Sequence, residues 1–179
     1  ALAKRYHLNS AQIRKDLAYF GEFGVRGMGY NVSALRQYLI EILGLSRERR
    51  IVIVGAGNLG IALCHYSRFT GENFLVVGIL DSDSGKIGES TPSGLLVESV
   101  TRLPEIVHQR EAEIGVITTP GESAQVVCDQ MAKAGLRAIL NFAPVQIRAP
   151  EGVLLRSVDL RVHLEELSFF LTHGIPASA

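Results

Sequence analysis

Ile51-Val52-Ile53-Val54-Gly55-Ala56-Gly57-Asn58-Leu59-Gly60 is the stretch on which the fold turns. Four consecutive apolar residues read as a strand buried on both faces, and the glycine-rich run that follows at once opens a helix reaching about Tyr66. G-x-G-x-x-G carries weight only in this setting, after a strand and before a helix. There Gly55 permits the tight turn, Gly57 lets the backbone approach a pyrophosphate, and Gly60 lets helix and strand pack closely. The unpaired amides of the first helical turn, at Asn58 and Leu59, add the positive end of the helix dipole.

Downstream, Phe74–Leu80 reads as a second strand ending in Asp81, 21 residues beyond Gly60. A carboxylate at that point can accept both hydroxyls of an adenosine ribose, and a 2′-phosphate there meets an uncompensated like charge. The pattern therefore favours NAD(H) over NADP(H). The competing reading is a glycine-rich turn with a solvated acid. Strand and helix then alternate: a short strand at Leu95–Val97, a helix initiated by Pro104, a strand at Ile114–Ile117, a helix over Ser123–Ala134, strands at Ala138–Phe142 and Val153–Arg156, and a last helix over Leu160–Thr172. This alternation predicts an α/β, doubly wound parallel sheet of the Rossmann type. Thr118, Thr119 and Pro120 fall at the carboxyl edge of that sheet, as do Asn141 and Phe142. Each loop stands open to two readings, a hold on the nicotinamide-side ribose and phosphate or an ordinary capped connection.

Upstream of Ile51 the character differs. Residues 1–8 read as the end of a helix, Asn9 and Ser10 supply N-cap chemistry, and Ala11–Phe20 places Ile13, Leu17 and Phe20 on one stripe. The opposite face carries Gln12, Lys15 and Tyr19, with Arg14 on its shoulder. Helix, turn and polar-faced helix make a helix-turn-helix pattern. Gly21-Glu22-Phe23-Gly24-Val25-Arg26-Gly27-Met28-Gly29-Tyr30 follows, too rich in glycine for a helix and suited to a two-stranded hairpin, the wing of a winged-helix domain. A helix over residues 33–44 and a polar basic linker, Ser46–Arg50, lead into the sheet. The chain starts at Ala1 in mid-helix by this pattern, so further residues are expected ahead of it.

The chain has 179 residues, 47% of them hydrophobic, with 18 basic and 18 acidic side chains. A net charge of zero argues at first against a nucleic-acid partner. Residues 1–50, however, hold nine basic and four acidic side chains, and the remainder holds nine and fourteen. Cys64 and Cys128 lie in apolar helical patterns and read as buried thiols of a reducing compartment. The lack of a bilayer-length apolar run or a secretory leader makes the cytoplasm the expected location. The five histidines form no set, and neither a Ser-His-Asp pattern nor a metal-ligand spacing is present. A nucleotide site without catalytic apparatus points to a sensor, not an enzyme. An NAD-dependent oxidoreductase with a small N-terminal arm is the alternative; a CoA- or nucleotide-binding module of a larger ligase is a third, against which Asp81 and the basic N-terminal half count.

Gln12-Ile13-Arg14-Lys15-Asp16-Leu17, Tyr19-Phe20-Gly21-Glu22-Phe23-Gly24, Arg26-Gly27-Met28-Gly29-Tyr30, the glycine fingerprint and Ile139-Leu140-Asn141-Phe142-Ala143-Pro144 together resemble the Rex family of bacterial redox-sensing transcriptional repressors. The resemblance runs over almost the whole chain, and it implies a partial winged-helix domain over residues 1–46, a Rossmann domain over 47–158, and a domain-swapped C-terminal helix and tail over 159–179. It implies a homodimer that binds a palindromic operator when NAD+ dominates and is released by NADH. Ser10, Gln12, Arg14, Lys15, Tyr19, Arg26 and Tyr30 are its DNA-facing candidates. In such a family the last helix reaches the partner's nicotinamide pocket, which gives Phe169 a place near that ring; a plain core helix is the alternative. Tyr66 and Asp159 match positions implicated in the nicotinamide response, and each also reads as a helix-end tyrosine or an N-cap aspartate.

Overall fold

The computed structural model describes residues 9–19, 24–25, 29–66 and 73–174. The chain divides between Arg47 and Glu48 into two compact units.

In the first unit, α1 (Ser10–Tyr19) starts beside Asn9, whose side chain accepts the Ala11 amide at 2.8 Å. Strands β1 (Gly24–Val25) and β2 (Gly29–Tyr30) pair antiparallel, giving the hairpin expected from the glycine spacing. Helix α2 (Val32–Ile42) is capped by Asn31, which accepts from the Ala34 amide. It closes where Gly44 adopts φ +67° and the Leu45 amide reaches back to the Ile40 carbonyl, a turn that favours glycine. The helix expected over residues 1–8, Phe20 and Arg26 lie outside the described residues.

The second unit contains β3 (Arg49–Val54), α3 (Asn58–His65), β4 (Phe74–Asp81), β5 (Val97–Ser99), a 3-10 turn (Val100–Arg102) running into α4 (Leu103–Gln109), β6 (Ile114–Ile117), α5 (Gly121–Lys133), β7 (Ala138–Asn141), β8 (Leu154–Ser157) and α6 (Leu160–His173). Its six strands lie in the order β5-β4-β3-β6-β7-β8, and every pair is parallel. The first strand is central and the chain winds away from it in both directions, which is the doubly wound Rossmann arrangement.

Alternation along β3 divides the core. Val52 and Val54 join one apolar cluster with Leu80, Leu103, Ile106, Ile117, Val127 and Met131, while Ile51 and Ile53 join the other with Cys64, Val76, Ile79 and Val116. Both faces are therefore covered, as a parallel sheet requires.

Two expectations change, and one alternative falls away. The third strand is Val97–Ser99, because residues 90–96 form a turn closed by a Ser90–Leu96 bridge, with Gly94 at φ +84°. Arg49 and Arg50 belong to β3 and are not a free linker. Arg49 pairs with Glu113 at 2.9 Å; Arg50 donates to the Arg110 carbonyl at 3.1 Å and lies 3.3 Å from Glu111. The last helix is no core helix: none of its residues is buried.

Candidate functional site

The strand order reverses between the parallel neighbours β3 and β6, and the loops leaving these two strands meet there. Gly55 has φ +112°, and a Cβ on it would lie 2.7 to 2.8 Å from the backbone of Thr118 and Thr119. The Thr118 hydroxyl donates across this junction to the Gly55 carbonyl at 2.7 Å. Gly60 is more tightly confined, since a Cβ there would come within 1.9 Å of the Gly55 carbonyl oxygen. Gly57 is the opposite case: among the described residues nothing lies within 4 Å of where its Cβ would be.

Over this junction opens a cleft of about 730 Å³, within the ordinary range for a small-molecule site. Gly55 and Gly57 line it from one side, Thr118, Thr119 and Pro120 from the other, with Asp81 and Phe142 at its borders. The helices that start here begin without side-chain caps, α3 at Gly57 and α5 at Pro120. By contrast α2 and α6 begin under Asn31 and Asp159. Uncapped first-turn amides keep their positive field available to an anion.

Two observations test whether these residues suit a dinucleotide. Open space over Gly57 lets a phosphate come up against the backbone. Thr119 Oγ1 is buried with no hydrogen-bond partner among the described residues, a costly state that a ligand hydroxyl or phosphate relieves. Both fit.

Asp81 is buried at the end of β4, and its carboxylate is already engaged. Oδ2 accepts the Ala56 amide at 2.7 Å and the Lys86 ammonium at 3.0 Å; Oδ1 accepts the Asp83 amide at 2.9 Å. Burial raises its pKa, but these bonds and the Lys86 charge together carry it below the usual carboxylate value. The folded protein thus binds the proton less readily than the unfolded chain does, so this contribution to stability is present above the unfolded pKa and is lost as pH falls through the lowered one. The expectation of an uncompensated charge is corrected: Lys86 compensates it.

Asn141 is also corrected. It is fully buried and does not line the cleft. Its Nδ2 donates to the carbonyls of Ala143 and Val145, each at 3.2 Å, and to Ser157 Oγ at 3.3 Å, while Oδ1 accepts the Ala143 amide at 2.9 Å. Its task is to shape the turn that presents Phe142 and Pro144. Asn141→Asp replaces the donor facing these acceptors, or turns a carboxylate onto them, and should cost about 2–4 kcal/mol of stability, read by urea denaturation.

Asn58 and Leu59 stand exposed on the first turn of α3, outside the cleft lining. Tyr66 ends that helix and is exposed. Asp159 caps α6 by accepting the Arg161 amide at 2.9 Å, and Phe169 stacks on His173 at 4.4 Å on the exposed helix. These last three also lie outside the lining within a single chain. On the first unit, Gln12 donates to Asp16 at 2.7 Å, and Gln12, Lys15 and Tyr19 are exposed. Ser10, Arg14 and Tyr30 are placed by their backbones in α1 and β2.

Sequence reasoning missed Lys86, Val126 and Gln130, all of which line the cleft. Val126 and Gln130, with Glu122, recur at four-residue steps along one face of α5, opposite the buried Ala124, Cys128 and Met131. That face was readable from helical spacing. Burial pushes the Cys64 thiol up to about 11 and raises that of Cys128 too, so both stay protonated and poorly nucleophilic. Among the described residues no helix is long and apolar enough to cross a membrane.

Comparison with known proteins places this geometry. The family model described as a CoA binding domain matches residues 46–145, a range that holds β3 to β7 and leaves out the helices and hairpin of the first unit. A redox-sensing transcriptional repressor Rex of Pelotomaculum thermopropionicum is 52% identical over 170 residues, 95% of this chain and 79% of that one. A crystal structure of RSP in complex with beta-NAD+ and operator DNA is 34% identical, with a TM-score of 0.89 over 96% of this chain and 79% of that one. RSP in complex with beta-NADH gives 32% and 0.81, over 96% of this chain and 80% of that one. RSP is described as a Rex-family repressor. Because the repressor likenesses run through both units, they decide between a nucleotide-binding module and a regulator, and the chain belongs to the Rex family of redox-sensing transcriptional repressors.

Proposed function

We propose that this chain is a repressor that reads the NADH/NAD+ ratio, holding operator DNA when NAD+ dominates and leaving it when NADH binds. One observation carries the reading: a dinucleotide-suited cleft and a helix-and-wing head occur on one chain whose likeness to RSP, a protein solved with beta-NAD+, beta-NADH and operator DNA, spans both. We take residues 1–46 as the DNA-reading head, 47–158 as the sensing body and 159–179 as the exchanged helix and tail.

In this reading the pyrophosphate meets Gly57 and the uncapped start of α3, the adenosine ribose meets Asp81, and Thr119 with Pro120 and Phe142 serves the nicotinamide side. Bound dinucleotide supplies a ring that is cationic when oxidised and neutral when reduced. An apolar surround favours the neutral form, since desolvating a cation is costly. Phe142, Val126 and Pro144 supply part of that surround. Gln12, Arg14, Lys15 and Tyr19 face the major groove, with Ser10 at the helix start and Arg26 and Tyr30 on the wing. Moving the dimer from mostly bound to mostly released needs a preference of about 10⁴, or ~5.5 kcal/mol, between its two arrangements.

The charged lining side chains include Asp81 and Lys86, which pair with one another, and Glu122. A chromosome-binding repressor works in the cytoplasm.

Helix α6 supports a homodimer. Leu160, Leu164, Leu167 and Leu171, each 60 to 82% exposed, fall on one stripe at alternating steps of four and three, the seam by which helices pair. Leu167→Glu, which puts a charge in this seam, should convert the dimer to monomer at micromolar concentration by sedimentation. In a calorimetric titration the wild-type dimer should take up one NADH per chain, more tightly than NAD+; no uptake of either contradicts the proposal.

A further inference from the structure

We infer that Lys86 sets how strictly the adenosine end of the cleft excludes a phosphate on the ribose, by neutralising Asp81. This rests on the dinucleotide reading of the cleft and goes beyond it. A carboxylate offers roughly four acceptor directions. Three are taken on Asp81: the Ala56 amide and the Lys86 ammonium on Oδ2, and the Asp83 amide on Oδ1. A single direction is left for a ribose hydroxyl. Ser82 and the Lys86 ammonium are the other polar groups lining that corner; the ammonium has three protons and spends one of them on Asp81.

The pair is built into the loop after β4. Asp83 accepts the Gly85 amide at 2.9 Å through its side chain and the Lys86 amide at 3.0 Å through its carbonyl, which turns the chain so that Lys86 comes back over Asp81. The Asp81 side chain is 10% exposed, whereas that of Lys86 is 38% exposed and lines the cleft beside it. A ligand thus meets the cation more readily than the anion. Glu122, across the cleft at the start of α5, is a further charge on the lining. The charge barrier that a lone acidic residue raises against a 2′-phosphate is absent here, and what exclusion remains comes from space and hydrogen bonding. Removing the ammonium should restore the charge barrier.

The test measures dissociation constants for NADH and NADPH with the full-length dimer as wild type, Lys86→Met, Lys86→Gln and Lys86→Arg. The quantity read is the ratio of the NADPH constant to the NADH constant. It should rise about tenfold in both neutral variants, the effect of one unit charge a few ångströms away near a wet surface, and stay within threefold of wild type in Lys86→Arg. The rise should shrink in high salt. A ratio that stays within threefold of wild type in Lys86→Met and Lys86→Gln, or that falls, overturns the inference. Failure of the wild type to bind NADH is a separate result, which overturns the cleft's dinucleotide reading and this inference with it.

Discussion

Gly57→Val is expected to leave the protein folded and to weaken NADH binding by at least about a hundredfold. The backbone at Gly57 is extended, with φ −83° and ψ −174°, so a β-branched residue fits without strain. Nothing among the described residues lies within 4 Å of the added Cβ. The new side chain therefore costs the fold little, but it stands in the cleft where the phosphates must approach the amides of α3. Losing those charge-assisted bonds, and the space for them, accounts for a change of about 3 kcal/mol. Melting near the wild-type temperature together with lost NADH affinity, measured by fluorescence titration, is the expected pair of results. Retained affinity would show that the phosphates do not pass over Gly57.

Three residues further on, inside α3, the opposite outcome is expected. Gly60→Ala places a methyl 1.9 Å from the Gly55 carbonyl oxygen and 2.9 Å from Thr118 Oγ1. The first of these contacts is backbone, fixed by the junction of β3 with β6, and cannot swing away. Helix α3 must lift from the sheet, taking the buried Cys64 with it. Overpacking of this kind costs about 3 kcal/mol or more, and for a domain of this size the melting temperature should fall by about 10 °C. Scanning calorimetry reads it directly. Melting within about 2 °C of wild type would mean that α3 does not pack as described.

These two glycines show what the sequence could convey. Strand–turn–helix context assigned each glycine of the fingerprint its task, and the described geometry gives Gly57 open space and Gly60 a closed contact, as those tasks require. Ile114–Ile117 was legible to the residue, because a strand buried on both faces is apolar throughout. Val97–Ser99 was displaced, since its polar Glu98 and Ser99 are held by backbone pairing to Leu80 and Asp81 and carry no hydrophobic signal.

Asn141 was misassigned because a polar residue at a strand's carboxyl end reads as a ligand contact. The period of two was the overlooked signal, for Asn141 shares a face with the buried Ile139 and so points into the covered side. Lys86 was invisible for another reason: loops have no period, and only the Asp83 turn brings it back to Asp81. Tallied charge misled similarly at Arg49 and Arg50, whose partners lie some sixty residues away in sequence and whose charges are spent inside the second unit. The first unit itself holds seven basic and three acidic side chains, still the excess that phosphate contacts need.

The central claim is that one chain couples a dinucleotide's redox state to DNA release. A mobility-shift titration of the full-length dimer on a palindromic operator, with NAD+ and NADH added in turn, tests it most directly. The expected result is a complex that persists in NAD+ and dissociates as NADH rises. A complex indifferent to both dinucleotides would contradict it.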